Sequence, residues 1–287
     1  MKIFDCFMYY DDEMILDLRL NYLNNYVDYF VIVESIFTHS GLRRKLLFNI
    51  NNFSKFKKKI IYIVLNEEPK NLDKIEKKDD ENTVNSKLIL NAVKRENLQR
   101  DTIQNGLTLA SQNDLIVISD VDEIPNLENN EKIILNNLDK IGIFNQKVYY
   151  YKINLRVQDY KKWEGTRILR KKNLKSFSWL RANIRLKNLR YKFWRIDKFK
   201  NIYEILDGGW HFSFLGDVET ISSKIKSYTH SEFDKKKFTD LDKINERIIN
   251  MKDPYDRQKK LIKTLIDSSY PEYIFKNQHN LTKLILS

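Results

Sequence analysis

Three nearly unbroken apolar runs, at residues 29–34, 60–65 and 114–119, most constrain what this chain can become. A strand with one face in water alternates apolar and polar residues. A short run that does not alternate is a strand covered on both faces, which is the condition of a parallel sheet packed between helices. Between these runs the period changes. Ile15, Leu16, Leu20, Leu23 and Val27 recur at helical spacing behind Asp11-Asp12-Glu13, whose negative charge suits a helix start. Residues 46–56, 88–110 and 129–138 also read as helical, residues 3–9 as a first strand, and the polar segment 66–87 as a loop.

The resulting β-α-β-α-β-α-β-α order predicts an α/β fold: a mostly parallel central sheet with right-handed crossovers and helices on both faces. After residue 146 the pattern changes. An aromatic-rich strand is expected over 146–155, an irregular basic stretch over 156–200, and another strand over 207–215. Helices over about 217–229 and 240–250 and a helical C-terminal tail punctuated by Pro254 and Pro271 complete the expectation.

Composition removes many functions. None of the 7 glycines forms a G-x-G-x-x-G or Walker A loop, so a dinucleotide site and a P-loop both lack their backbone. H-E-x-x-H, G-x-S-x-G and Cys-x-x-Cys are absent, and the lone Cys6 with 4 histidines excludes intrachain disulfides and Cys-rich zinc frameworks. The apolar runs are far shorter than the roughly 20 residues of a membrane helix, and residues 1–5 do not begin a signal peptide. A soluble, cytoplasmic protein is the expectation. The formal charge of +12 favours an anionic partner without choosing among nucleic acid, membrane and phosphorylated small molecules.

What remains is acidic. The strand at 114–119 runs directly into Asp120-Val121-Asp122-Glu123-Ile124-Pro125. Side chains two apart on extended backbone share a side, so Asp120 and Asp122 can converge on one ion at the carboxyl end of a strand, where open α/β sheets bind ligands. Oxygen donors select Mg²⁺ or Mn²⁺, and such an ion leaves positions for a substrate diphosphate. Turn- and cap-forming acids ahead of Pro125 are the simpler explanation of an isolated Asp-x-Asp.

Several blocks together resemble glycosyltransferase family 17, which contains the β-1,4-mannosyl-glycoprotein β-1,4-N-acetylglucosaminyltransferases. They are Lys2-Ile3-Phe4-Asp5-Cys6-Phe7 with residues 13–20, Tyr29-Phe30-Val31-Ile32-Val33-Glu34-Ser35, Arg95-Glu96-Asn97-Leu98-Gln99-Arg100-Asp101, residues 118–125, and Gly208-Gly209-Trp210-His211-Phe212-Ser213. The resemblance covers about residues 1–250. It implies a GT-A fold, a UDP-sugar donor, a divalent cation, inversion at the anomeric carbon, and N-acetylglucosamine as the transferred sugar. It implies a catalytic domain over 1–250, with a nucleotide-sugar half at 1–125 and an acceptor half at 126–250, followed by a helical extension at 251–287.

On that resemblance Glu34 and Ser35 fall at the edge of a uridine pocket, and Arg95, Gln99 and Arg100 become donor or diphosphate contacts. Arg100 with Asp101 is the structural alternative, as an ion pair. Asp120 contacts donor and metal, and Asp122 the metal. In the second cluster, paired glycines permit close backbone approach, Trp210 offers a stacking face, and His211 can ligate the metal, with His230 a weaker competitor. An inverting transfer needs a carboxylate to accept the acceptor's proton; Asp207 is the first choice, with Glu164 and Asp217 as rivals. The partners expected are a nucleotide sugar and a glycan acceptor, with peripheral contact to a membrane or lipid-linked acceptor through the basic, aromatic residues 181–200. No nucleic acid is expected. The rival functions are a nucleotidyltransferase using the same carboxylates and a basic nucleic-acid-binding module.

Overall fold

A computed structural model describes residues 1–158, 160, 162–190, 194, 196, 198–227 and 236–286. Its elements in chain order are β1 (Ile3–Tyr9), α1 (Glu13–Leu23), β2 (Tyr29–Ser35), β3 (Ile60–Leu65), α2 (Glu81–Thr102), β4 (Leu115–Ile118), β5 (Glu123–Pro125), α3 (Glu131–Leu135), β6 (Ile141–Tyr150) and β7 (Leu155–Val157). They continue with β8 (Trp163–Arg170), α4 (Phe177–Asn183), β9 (Ile202–Ile205), β10 (Gly209–Ser213), α5 (Val218–Ser227), α6 (Lys236–Thr239), α7 (Leu241–Ile249), β11 (Leu261–Lys263) and α8 (Glu272–Lys276).

The sheet runs β11-β7-β6-β8-β4-β1-β2-β3, with β9 and β10 on β6 and β5 on β10. The apolar runs form parallel strands as expected, and those at 29–34 and 114–119 are almost wholly buried, but β3, at the sheet edge, is only half-buried with Val64 exposed. β1 lies between β2 and β4, parallel to both, and β3 extends that parallel unit. Its side chains alternate between two cores. Phe7, Leu115, Val117 and Phe30 pack with α1 on one face, and Phe4, Cys6, Ile116 and Ile118 pack with Phe177 and Leu180 of α4 on the other.

The mostly parallel expectation needs correction: the sheet is mixed. β8 inserts between β4 and β6, antiparallel to both, and β5 and β7 add further antiparallel pairs. β8 fell inside the stretch read as irregular because Glu164, Gly165 and Arg167 break its apolar pattern. Arg167 is nonetheless fully buried; its terminal nitrogens donate to the carbonyls of Glu164, Gly165 and Ile184, while its Nε has no partner among the described residues.

The helices differ in extent. α2 begins at Glu81, inside the expected loop, because Asp80 caps it by accepting from the Thr83 N–H at 2.8 Å. Residues 46–56 hold a short 3-10 helix at Ile50–Phe56. The C-terminal segment is not a helical tail. β11 pairs with β7, α8 has five residues, and Tyr270, Ile274 and Leu284 enter the same core as α1.

Candidate active site

The acidic motif forms a turn between β4 and β5, and a buried arginine holds that turn from inside. Arg19 of α1 is fully buried and forms a two-pronged pair with Asp5 of β1, at 2.8 and 2.6 Å. Its remaining donors reach Ser119 Oγ at 2.6 Å and the carbonyls of Asp120, Val121 and Glu123 at 3.0, 3.1 and 3.0 Å. A planar guanidinium suits this task because its donors spread in a rigid fork.

Glu123 fastens the turn from the other side. Its buried carboxylate accepts from the Asp120 N–H at 3.0 Å, from Trp163 Nε1 at 2.9 Å and from both terminal nitrogens of Arg181 at 2.9 and 3.0 Å. The Phe212 N–H of β10 donates to the Asp122 carbonyl at 2.9 Å, which fixes the last part of the turn.

With its backbone pinned, the turn presents two carboxylates to protein cations. Asp120 meets Arg181 at 2.9 Å and Arg100 at 3.4 Å. Burial works against its charge, but the two guanidiniums outweigh burial and hold its carboxyl below the usual range. Asp122 lies 3.3 Å from Lys224 Nζ of α5, and Lys224 also pairs with Asp12 at 3.1 Å. Burial again opposes ionisation of Asp122, yet Lys224 and His211 drive its carboxyl well below the carboxylate range. For Asp12 burial prevails over Lys224 and the carboxyl is pushed up. Arg181 is pushed up as well, since Asp120 and Glu123 outweigh its burial.

Of these groups Asp12, Asp120, Asp122 and Lys224 line a cavity of about 340 Å³ beyond the carboxyl ends of β1, β2 and β4, while Arg100, Arg181 and His211 stand behind its lining. Asp12, Asp120, Asp122 and Lys224 supply its charged end, while Tyr10, Phe37, Ile89 and Val93 supply an apolar wall. His39 and Gln99 join the wall, with His39 Nε2 and Gln99 Oε1 3.0 Å apart. Burial pushes the His39 ring toward its neutral form.

A divalent ion is implied by the resemblance, and the donor set can be tested for it. Among the described residues no group of three His, Cys, Asp or Glu side chains gathers closely enough to hold a metal by itself. A Mg²⁺-type ion does not require one, because one or two carboxylates and a substrate phosphate suffice. Asp122 Oδ1 and His211 Nε2 are 3.6 Å apart, beyond a hydrogen bond and within the span of two donors sharing an ion. His211 is held with its ring stacked on Trp163, centroids 4.4 Å apart, and its Nδ1 is buried without a partner among the described residues. This donor pair fits such an ion.

Other residues singled out from the sequence have different surroundings. Glu34 is fully buried and accepts from the Leu47 and Phe48 N–H groups at 2.7 and 3.1 Å and from Tyr62 Oη at 2.8 Å, with Arg44 at 3.0 Å. Ser35 Oγ accepts from the Phe37 N–H at 3.0 Å. Both therefore shape the loop that delivers Phe37 and His39 and do not line the cavity themselves. Arg95 pairs with Glu68 at 2.6 Å, outside the cavity lining. Gln99 lines it and donates to the Val33 carbonyl at 3.1 Å. Arg100 pairs with Glu96 at 2.7 Å rather than with Asp101, whose carboxylate instead accepts from the Ser178 N–H and Oγ and anchors α4.

Trp210 is placed away from any ligand. It is buried, meets Tyr22 edge-on at 5.6 Å and donates to the Ser269 carbonyl at 3.2 Å. The glycine pair serves strand packing: Gly209 has φ +119°, and a Cβ there would lie 2.2 Å from the Ile124 carbonyl oxygen of β5. Asp207 precedes that strand at the end opposite His211's junction with the turn, where its exposed carboxylate pairs with Lys147 at 3.0 Å. Glu164 accepts from the Leu186 N–H at 3.0 Å, and Asp217 caps α5 by accepting from the Thr220 N–H at 2.9 Å. None of Asp207, Glu164 and Asp217 lines the cavity. His230 lies outside the described residues.

The sequence left Arg19, Trp163 and Lys224 without roles, gave Asp12 only a place at a helix start, and placed Arg181 in the basic, aromatic run expected to meet a membrane or lipid-linked acceptor. A signal existed for Arg19 alone: a charge among Leu16, Leu18, Leu20 and Leu23, on every side of which the helix is buried, has to have a buried partner.

Comparison with known proteins adds the following. No curated protein matches the chain. Solved structures similar to it include HddC from Yersinia pseudotuberculosis, at 16% identity over 72% of this chain and 90% of that one, with a TM-score of 0.35. A candidate nucleotide-diphospho-sugar transferase from Desulfovibrio desulfuricans G20 is similar at 9% identity over 87% of this chain and 95% of that one, with a TM-score of 0.31. The model of glycosyltransferase family 17 matches residues 1–260, a span that takes in the pinned turn, its cations and the cavity between them. On that match the chain belongs to glycosyltransferase family 17.

Proposed function

We propose that this glycosyltransferase is a metal-dependent, inverting enzyme of GT-A type that moves N-acetylglucosamine from UDP to a hydroxyl of a glycan. The observation that carries the proposal is the two-ended cavity, with an apolar and aromatic wall at one end and Asp12, Asp120, Asp122 and Lys224 at the other, Arg181 standing behind Asp120. A nucleoside diphosphate sugar has the same polarity. Its base packs on Tyr10, Phe37, Ile89 and Val93, and its diphosphate lies toward Arg181 and Lys224. Arg181 and Lys224 come from beyond residue 125, so the diphosphate end draws on both of the halves expected from the sequence.

Asp122 and His211 would hold the divalent ion, which supplies Lewis-acid stabilisation of the departing diphosphate when bound. The protein's own part is electrostatic preorganisation. Arg19 and Glu123 fix the turn before substrate arrives, so Asp120 and Asp122 need no reorganisation at the moment of reaction. Inversion demands a base on the acceptor side. Of the carboxylates lining the cavity, Asp12 is the one whose carboxyl burial pushes up, the direction that suits a base. Asp12 takes the acceptor hydroxyl proton, and Lys224 holds it in place.

The test is product analysis with UDP-N-acetylglucosamine, Mn²⁺ and a panel of glycans. Release of UDP with glycosylated acceptor is expected, and release of pyrophosphate from a nucleoside triphosphate and a sugar phosphate would point to nucleotidyl transfer instead. Asp12→Asn is expected to lower kcat by about 100-fold or more while UDP binding persists; unchanged kcat removes Asp12 from the role.

A further inference from the structure

The chain's positive charge is concentrated in one place. Residues 171–200 hold eleven Lys or Arg against the single Asp197, so this stretch carries ten of the twelve net positive charges. Arg181 points inward to Asp120 and Glu123, but Lys172, Lys175, Lys187 and Arg190 are exposed. Around Lys175 and Lys187, Trp179 and Phe199 meet edge-on at 5.6 Å and border two neighbouring grooves of about 220 and 330 Å³, together with Arg185, Lys198 and Lys200 and, at the second, Ile196. Large apolar side chains stand out among these charges: Ile196 is 97% exposed, Trp194 56% and Leu189 49%.

We infer that this face docks on an anionic phospholipid membrane. The charge is complementary to acidic headgroups, each nearby Lys or Arg adds to attraction for an acidic leaflet, and Trp and Ile find in the acyl boundary what water denies them. A nucleic acid would satisfy the lysines and leave Ile196 and Leu189 uncompensated, since phosphate and ribose offer little apolar surface. Trp179 on this face and Arg181 in the site belong to the same seven-residue helix, α4, so docking would set the cavity at a fixed height above the bilayer. Acceptors carried by the membrane would then be within reach of the site. Membrane docking and donor chemistry are separable, because one is read by sedimentation and the other by UDP release.

The experiment is co-sedimentation of the full chain with vesicles of phosphatidylcholine alone and of phosphatidylcholine with about one-third phosphatidylglycerol, across a salt series. Binding at least about tenfold tighter to the acidic vesicles, weakening as salt rises, is expected. The double variant Lys175→Glu, Lys187→Glu should lose about tenfold of that affinity. Ile196→Asp should lose roughly threefold. Ile196 packs against almost nothing, so that variant folds, and its response to UDP should match the parent protein. Failure to bind acidic vesicles overturns the inference. So does an Ile196→Asp variant that binds vesicles as the parent does while random-sequence DNA binds the parent more tightly than vesicles do, which would assign the face to nucleic acid.

Discussion

The turn from Ser119 to Glu123 is gripped by cations on two sides, and the two sides differ. On the inner side Arg19 is fully buried, and its bonds go to Asp5, to Ser119 Oγ and to three backbone carbonyls. No ligand competes for those acceptors. On the outer side Arg181, Arg100 and Lys224 meet the side chains of Asp120 and Asp122, and the Asp120 side chain is 40% exposed. A substrate phosphate or an ion can claim either partner there. The inner cation thus fixes where the backbone goes, and the outer cations balance the carboxylates that face the cavity.

Removing the inner cation should have the largest effect on the fold. Arg19→Met strands the Asp5 carboxylate and three carbonyls, and a loss of about 3–5 kcal/mol is expected in a urea titration. A variant within about 1 kcal/mol of the parent would mean that Arg19 is not what holds the turn.

Arg181→Lys probes the outer side of the turn. A lysine keeps the charge but cannot bridge Asp120 and Glu123 with a fork, so kcat/KM is expected to fall by about tenfold with little change in melting temperature. A large drop in stability without a kinetic effect would make Arg181 an inner residue like Arg19. The smallest effect belongs to Asp207. Its carboxylate is exposed and paired only with Lys147 among the described residues, so Asp207→Asn should stay within about 0.5 kcal/mol of the parent and keep its turnover. A dead enzyme would return Asp207 to the site.

The same contrast explains what could be read from the sequence. β2 and β4 were legible because strands buried on both faces are written as continuous apolar runs, and the Asp-x-Asp was legible because it follows such a run directly. β8 was not, since Glu164 and Arg167 interrupt it and their partners, the Leu186 N–H and the Ile184 carbonyl, lie about twenty residues on, where no local pattern displays them. The cations around the turn were hidden for a related reason. Arg181 is 61 residues from Asp120, and Lys224 is 102 residues from Asp122, so only the fold brings them together. Trp210 and the glycine pair looked like ligand-binding features because close packing between strands calls for the same residue types as close approach to a ligand.

The central claim is that Asp122, within this pinned turn, binds a nucleoside diphosphate through a divalent ion. The direct measurement is the melting temperature of the parent protein and of Asp122→Asn, each with UDP, with Mn²⁺ and with both. A ligand that binds only the folded state at about 100 times its dissociation constant adds about 2.7 kcal/mol of stability. The parent should therefore gain several degrees with UDP and Mn²⁺ together and little with either alone, and Asp122→Asn should gain little in every case. Equal responses from the two proteins, or no response of the parent to UDP and Mn²⁺, would contradict the claim.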